Sequence, residues 1–185
     1  RCAPARFDAP GRIMALILAS RSPRRRELLA KICPQFSCEE ADIDERALCR
    51  DISDPEQVVR TLACAKAAHA AAAHTPDDIV IGADTVVAAA GAILGKPADK
   101  DAAFSMLSSL SGKAHHVYSG IAVLHGDTLL CDCDITEVRF RTLSPQEIRS
   151  YIEQARPYDK AGAYGIQEQA CLFISGITGD FYGVM

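Results

Sequence analysis

The chain has no basic excess and few aromatic residues. Its 185 residues carry a formal net charge of −4, tryptophan is absent, and aromatic residues make up 6%. General nucleic-acid binding normally requires a basic surface, and often aromatic side chains on which bases stack. No aromatic cluster accompanies the arginines of this chain. The composition therefore disfavours a nucleic-acid partner.

The sequence also has no apolar run of transmembrane length. Residues 1–19 resemble a secretory signal, because Arg6 and Arg12 precede an apolar run. That run is at the short limit for a signal, however, and it leads directly into a turn that we interpret as functional. We therefore predict a cytoplasmic protein with no membrane partner, in which residues 1–13 form a flexible extension and Met14 marks the original start.

None of the eight cysteines forms a Cys-x-x-Cys pair. Cys131 and Cys133 fall on the same face of a predicted strand, whereas the neighbouring His115 and His116 point to opposite faces. Neither pair has the spacing of a zinc site. A chain of this length with 49% hydrophobic residues can build a core without disulfides. We expect scattered free thiols in a reducing compartment.

Three catalytic signatures are missing as well. Residues 91–97, Gly-Ala-Ile-Leu-Gly-Lys-Pro, resemble a P-loop but have one residue too few between the glycines. Pro97 also stands where that motif requires Ser or Thr. The chain contains neither Gly-x-Ser-x-Gly nor His-Glu-x-x-His. These gaps disfavour a P-loop nucleotide site, a serine nucleophile elbow and a zinc-protease helix.

Short apolar runs alternate with amphipathic segments along the chain. Strands are predicted at residues 15–19, 79–87, 115–124, 128–140 and 170–174. Helices are predicted to begin after four capping residues: Ser22, Asp54, Asp99 and Ser144. No internal repeat is evident. This order of elements predicts a mixed α/β protein.

The most informative feature is the place where the first apolar run meets the first helix. Ser22 and Pro23 supply an N-cap and a first helical residue, so free backbone N–H groups collect there. Arg21, Arg24 and Arg25 add positive charge in the first turn, where it opposes the helix dipole unless an anion compensates. The pattern favours a multiply anionic ligand, most simply a polyphosphate. The alternative is a solvated charged surface.

Three further charged residues are candidates for chemistry. Asp84 interrupts a Val/Ile strand, so its carboxylate should hold a cation, accept strong hydrogen bonds or form a structural ion pair. Lys66 falls on the apolar face of a helix, and its amine either reaches an anionic ligand or extends to solvent. Glu45 is a second candidate acid in a stretch that alone is typical of a solvated loop. Such carboxylates can hold Mg²⁺ or Mn²⁺, and such cations can neutralise phosphate oxygens.

Seven short segments occur in a specific order. They are residues 18–25 (Leu-Ala-Ser-Arg-Ser-Pro-Arg-Arg), 43–45 (Ile-Asp-Glu), 65–67 (Ala-Lys-Ala), 82–87 (Gly-Ala-Asp-Thr-Val-Val), 95–97 (Gly-Lys-Pro), 110–115 (Leu-Ser-Gly-Lys-Ala-His) and 159–167 (Asp-Lys-Ala-Gly-Ala-Tyr-Gly-Ile-Gln). Together they resemble the Maf family of nucleoside triphosphate pyrophosphatases. The resemblance implies a single domain over residues 14–185. It also implies a mixed twisted sheet in a two-lobed α/β fold like that of inosine triphosphate pyrophosphatases, with the active-site cleft between the lobes.

The resemblance also implies an activity and its residues. The family cuts between the α and β phosphates of a nucleoside triphosphate, releasing a monophosphate and pyrophosphate with the help of Mg²⁺ or Mn²⁺. Asp84 would accept a proton from the attacking water, and Glu45 would help to hold the metal. The implied catalytic residues are Asp84, Glu45, Lys66 and Lys96, the implied metal ligands are Asp84 and Glu45, and the implied substrate-binding residues are Ser20, Ser22, Arg24, Arg25, Thr85 and Gln167.

Gln167 bears on the substrate that the resemblance implies. The segment that ends at Gln167 resembles the branch that acts on dTTP and UTP, whereas the branch that prefers 7-methyl-GTP usually carries a glutamate there. An amide both donates and accepts, as a pyrimidine edge requires. Such an enzyme would remove modified nucleotides or trim pyrimidine pools. Two alternatives stay open: a 7-methyl-GTP-type pyrophosphatase, and a nucleotide-binding regulator of cell division that does not hydrolyse its ligand. A homodimer is common in the family.

Three positions depart from the family pattern. Glu168 stands where glycine is usual, and Ser119 stands where threonine is more common. The sequence stops at Met185, where the family continues with a Gly-Leu-Pro segment and a final helix. We expect that this C-terminal tail is missing from the chain.

Overall fold

The computed structural model describes residues 14–185, so the predicted extension at residues 1–13 lies outside the described residues. The strands are β1 (Leu16–Ala19), β2 (Ser37–Glu39), β3 (Ile79–Ala89), β4 (Ala92–Leu94), β5 (Ala114–His125), β6 (Thr128–Phe140) and β7 (Ile174–Thr178). The α-helices are α1 (Pro23–Ile32), α2 (Glu45–Leu48), α3 (Pro55–Ala71), α4 (Lys100–Leu110), α5 (Pro145–Ala155) and α6 (Phe181–Val184). Within this range, no helix combines the length and the apolar character needed to span a bilayer.

The strands form one mixed sheet in the order β2-β1-β3-β5-β6-β7, and β4 pairs with β3. Strand β1 is parallel to β2 and to β3, while the remaining pairs are antiparallel. The prediction of a mixed α/β protein is confirmed. The likeness to inosine triphosphate pyrophosphatases and the division into two lobes stay predictions.

The capping residues and apolar runs of the sequence predict most of the helices and strands correctly. Each of the four predicted caps accepts a hydrogen bond from a backbone N–H of its own helix, and Ser144 forms a complete capping box with Glu147. The strand predicted at residues 170–174 is wrong. Residues Gln169–Phe173 form a 3₁₀-helix in which Ala170 and Phe173 are buried, and the strand begins only at Ile174. Burial at a spacing of three suits a 3₁₀ turn, whose side chains align at that period.

Helix α3 lies directly on one face of the sheet because two glycines leave room for it. A Cβ atom on Gly82 would lie 2.1 Å from the carbonyl oxygen of Ala63, and one on Gly120 would lie 2.6 Å from the carbonyl oxygen of Val59. Side chains alternate between the faces of a strand, so Asp84 lies on the same face of β3 as Gly82. The close approach therefore brings the turn of α3 that carries Lys66 beside Asp84.

The buried apolar residues fall into separate clusters. The largest lies around α4 and α5, against the ends of β5 and β6, and two smaller clusters lie against α3. His115 lies inside the largest cluster, with its Nε2 2.8 Å from the Tyr164 hydroxyl and its ring 5.0 Å from that of Phe140. Its Nδ1 has no hydrogen-bond partner within residues 14–185. A neutral imidazole suits this position, since one ring nitrogen is left without a partner.

Burial lowers the pKa of His115 from 6.5 to about 4. Between these values the unfolded chain binds more protons than the folded one, so stability is complete above pH 6.5 and falls as the pH drops toward 4. We expect His115 to account for a loss of about 3 kcal/mol in the free energy of unfolding across this window. Urea denaturation at several pH values gives the free energy of unfolding as a function of pH. The slope of this dependence should be shallower for His115→Gln than for the wild type. His125→Gln, at an exposed strand end, should keep the wild-type slope; identical slopes for all three proteins would contradict the assignment.

Candidate active site

The turn between β1 and α1 is organised by two serines. The Ser20 Oγ accepts a hydrogen bond from the backbone N–H of Ser22 (3.1 Å), and the Ser22 Oγ accepts one from the backbone N–H of Arg25 (3.4 Å). Pro23 occupies the first helical turn, as predicted. The turn thus lies at the carboxyl end of β1, where α/β sheets commonly bind ligands.

Arg25 attaches α1 to the sheet. Strand β1 pairs with β3 only as far as Gly82, which leaves the next carbonyl of β3 available. The Arg25 Nη1 donates to the carbonyl oxygen of Ala83 (2.8 Å), and its Nη2 donates to the Thr85 Oγ1 (3.2 Å). Burial lowers the pKa of Arg25, and the charge of the nearby Asp84 opposes this effect. Since α1 has no fully buried apolar side chain, these bonds of Arg25 are central to its position.

Three charged side chains meet between α2, α3 and β3. The Lys66 Nζ lies 2.6 Å from the Asp84 Oδ1 and 2.7 Å from the Glu45 Oε1. The side chains of Asp84 and Lys66 are each only 12% exposed, whereas that of Glu45 is about half exposed. The second oxygen of Asp84, Oδ2, accepts no hydrogen bond from residues 14–185. One ammonium balances only one of the two carboxylates, so the group keeps a negative charge that a further cation can neutralise.

The loop at residues 159–168 reaches α1 from the other side. The Arg24 Nη1 lies 3.6 Å from the Asp159 Oδ2 and 3.9 Å from the Glu168 Oε1. The Lys160 Nζ contacts both acids, at 2.8 Å and 3.3 Å. Gln167 is exposed beside them. The loop and the first turn of α1 are therefore joined through opposite charges.

Comparison with known proteins shows the family of this chain. The family model described as "Maf-like protein" matches residues 15–185. This chain belongs to the Maf family. A protein of Clostridium perfringens named dTTP/UTP pyrophosphatase is 48% identical over 175 residues, which cover 93% of this chain and 90% of that protein. Proteins with the same name from Symbiobacterium thermophilum (46% identity; 92% of this chain, 86% of that one) and Thermotoga maritima (44%; 93% and 83%) are also similar.

The Maf fold brings most of the predicted site residues into mutual contact. One set of contacts among them involves Ser20, Ser22, Arg25 and Thr85, and a second set involves Glu45, Lys66 and Asp84. Arg24 points to the loop instead. Lys96 and Gln167 are exposed, and neither forms a hydrogen bond or an ion pair with the described part of the chain. The catalytic, binding and metal roles of all these residues stay predictions.

The predicted set of site residues does not include four residues that the Maf structure places at this site, and one of them is Glu168, 3.9 Å from Arg24. Asp159 and Lys160 lie within one of the seven segments, so the resemblance contained the signal for them. The sequence marks Ser119 only as a departure from the family pattern and predicts no role for it. Its Oγ lies 3.2 Å from the Thr85 Oγ1 and donates to the carbonyl oxygen of Gly183. It thus connects the Arg25–Thr85 contact to α6.

The carboxylates of this Maf protein fit a divalent cation. Mg²⁺ is commonly bound through one or two carboxylates together with substrate phosphates and water. Asp84 and Glu45 already face one cationic atom, the Lys66 Nζ, from two directions. Between residues 14 and 185 no three His, Cys, Asp or Glu side chains converge on one point. Further ligands would therefore come from the substrate and from water.

Proposed function

We propose that this Maf protein is a nucleoside triphosphate pyrophosphatase that cleaves dTTP and UTP between the α and β phosphates, releasing a monophosphate and pyrophosphate. The observation that carries the proposal is the Lys66 ammonium held between Asp84 and Glu45, two acids whose charges also act on Arg25 in the first turn of α1. Phosphoryl transfer needs this combination of positioned cations and carboxylates. The names of the relatives supply the choice of substrate.

The roles follow from the positions of the groups. Ser20, Ser22 and the start of α1 bind phosphate oxygens, since the N-terminal end of a helix favours anions. Lys66 holds the Oδ1 of Asp84, and the free Oδ2 takes a proton from the attacking water. A divalent cation on Asp84 and Glu45 would neutralise charge on the phosphates. Arg24 and Lys96 then stabilise the leaving pyrophosphate.

The proposal extends to the setting of the enzyme. Mg²⁺ or Mn²⁺ is the proposed cofactor, and the nucleotide is the proposed partner. Seven cysteines within residues 14–185 are free thiols, which supports a reducing, cytoplasmic environment. We also propose a single two-lobed domain over residues 14–185 that forms a homodimer.

A product assay tests the proposal. The purified protein is incubated with Mg²⁺ or Mn²⁺ and dTTP, UTP, CTP, the purine triphosphates or 7-methyl-GTP, and pyrophosphate is resolved from orthophosphate. We expect pyrophosphate and monophosphate, formed fastest from dTTP and UTP. Preference for a nucleotide with another base would contradict the proposed substrates but leave the proposed reaction in place. Binding without turnover for every nucleotide would overturn the reaction.

Gln167→Glu should weaken hydrolysis of dTTP and UTP. A carboxylate only accepts hydrogen bonds, so it would repel the carbonyl oxygens of a pyrimidine that an amide N–H can contact. We expect kcat/KM for UTP to fall about 10-fold, the effect of one lost hydrogen bond to the base. Gln169→Glu makes the same change at an exposed position two residues away and should leave kcat/KM unchanged. An unaltered ranking of substrates in Gln167→Glu would remove Gln167 from substrate choice.

A further inference from the structure

The charge of Arg24 is compensated differently from that of Arg25. Arg25 donates hydrogen bonds to acceptors in the sheet and in the preceding turn, whereas Arg24 donates none within residues 14–185. The nearest carboxylate oxygens to Arg24 belong to Asp159 and Glu168, at 3.6 and 3.9 Å. Both distances exceed the range of about 2.7–3.2 Å for an N–H···O bond. The two acids therefore attract the guanidinium but leave its donors available.

Glu168 is held in place from the side opposite Arg24. Its Oε2 lies 3.3 Å from the Nζ of Lys160, whose side chain is only 9% exposed. Its backbone N–H donates to the carbonyl oxygen of Gly165 (3.1 Å). A Cβ atom on Gly165 would lie 3.2 Å from the Glu168 Cδ, so the loop backbone packs directly against this side chain. These contacts hold the carboxylate near Arg24 without any contribution from Arg24 itself.

The local charges oppose polyphosphate binding through Arg24. Asp159, Lys160, Glu168 and Arg24 form a group with no net charge. A triphosphate that engages Arg24 brings several negative charges toward both acids and competes with them for the guanidinium. The side chains of Arg24 and Glu168 are 18% and 35% exposed, so water screens this repulsion incompletely. The effect depends on the phosphates and is independent of the base.

We infer that Glu168 is an affinity-determining residue whose carboxylate competes with the polyphosphate for Arg24 and weakens the binding of any triphosphate or pyrophosphate. The inference rests on the proposed function, because it takes Arg24 as a phosphate-binding residue. Weaker binding of substrate and product has a use in catalysis: only interactions that are stronger in the transition state raise kcat. Glu168 also favours release of the pyrophosphate product.

Calorimetric titration with inorganic tripolyphosphate, which has no base, tests this role with and without Mg²⁺. Glu168→Gln removes the charge but can still accept a hydrogen bond from Lys160. We expect its Kd for tripolyphosphate to be lower by about three- to tenfold at low salt, with the difference shrinking as salt is raised. In an Arg24→Ala background only the direct repulsion between Glu168 and the phosphates remains, so Glu168→Gln should change Kd much less.

The control is Glu153→Gln, which removes an exposed acid of α5 that pairs with Lys100 and should not alter Kd. Equal or weaker binding by Glu168→Gln overturns the inference. A gain of the same size without Arg24 overturns it as well, because the effect would not act through that guanidinium. If the wild-type protein binds no tripolyphosphate, the proposed phosphate site fails, and the proposed function with it.

Folding of the variant is checked by thermal denaturation. Lys160 keeps Asp159 at 2.8 Å in Glu168→Gln, so no buried ammonium is left unpaired. Glu168→Asp gives a second variant, in which the carboxylate retreats from Arg24 by one methylene group. Its Kd should lie between those of the wild type and Glu168→Gln, and a Kd above the wild-type value would contradict the competition.

Discussion

Asp84→Asn should lower kcat for UTP by about 10²- to 10⁴-fold, the usual contribution of a general base, while triphosphate binding changes little. The amide can still accept a hydrogen bond from Lys66 through its oxygen, but it takes no proton from water at neutral pH. Glu45 stays 2.7 Å from the Lys66 Nζ, so the ammonium keeps a partner and the fold should survive. The groups at the start of α1 that would bind phosphate are untouched.

Steady-state release of pyrophosphate gives kcat, and calorimetry with a non-hydrolysable UTP analogue gives Kd. Asp132→Asn is the matched control, because this exposed acid of β6 pairs with Arg60 away from the site. It should keep the wild-type kcat. If kcat of Asp84→Asn stays near the wild-type value, the general base must be another group. A parallel loss of binding would indicate that Asp84 supports the substrate instead.

Gly82→Ala should strongly destabilise the protein. The new Cβ would lie 2.1 Å from the carbonyl oxygen of Ala63 and 2.7 Å from the backbone nitrogen of Ala67, and neither backbone atom can move without shifting α3. We expect the free energy of unfolding to fall by about 3 kcal/mol or more, the upper end of overpacking effects. Because α3 carries Lys66, the shift should also separate its ammonium from Asp84 and reduce activity in the folded fraction.

Chemical denaturation and activity of the folded protein measure both effects. Gly176→Ala, in β7, is the control, since a Cβ atom at that position would have no atom within 4 Å. That change should alter the unfolding free energy by less than about 1 kcal/mol, the range of strand propensity. Equal stability of the two variants would show that α3 does not rest on the sheet at Gly82.

Local chemistry made much of the fold predictable. Each cap at Ser22, Asp54, Asp99 and Ser144 depends on atoms a few residues apart, so a short window of sequence contains the whole interaction. The long strands β3, β5 and β6 were likewise visible as runs of apolar and alternating residues. The segment at residues 170–174 was mistaken for a strand because an apolar run of that length fits a strand or a tight helix equally well.

The chemical groups of the candidate site were also readable from the sequence, because a carboxylate in an apolar strand and a lysine on an apolar helix face are costly without partners. Their partners were not readable. Lys66 meets Asp84 only because α3 crosses β3 at Gly82, and Glu45 of α2 joins them through Lys66. These contacts connect segments far apart in the chain.

The two neighbouring arginines show most clearly what the sequence determines and what only the tertiary structure decides. The sequence alone placed both Arg24 and Arg25 in the first turn of a helix at the end of a strand. Successive helical residues point about 100° apart, so adjacent side chains face different surroundings. Only the tertiary structure decided that Arg25 meets the free edge of β3 and Arg24 meets the acids of the loop at residues 159–168. What surrounds a helix is set by segments distant in sequence, and those segments determine which arginine is hydrogen-bonded to the sheet and which keeps its donors unengaged within the described residues.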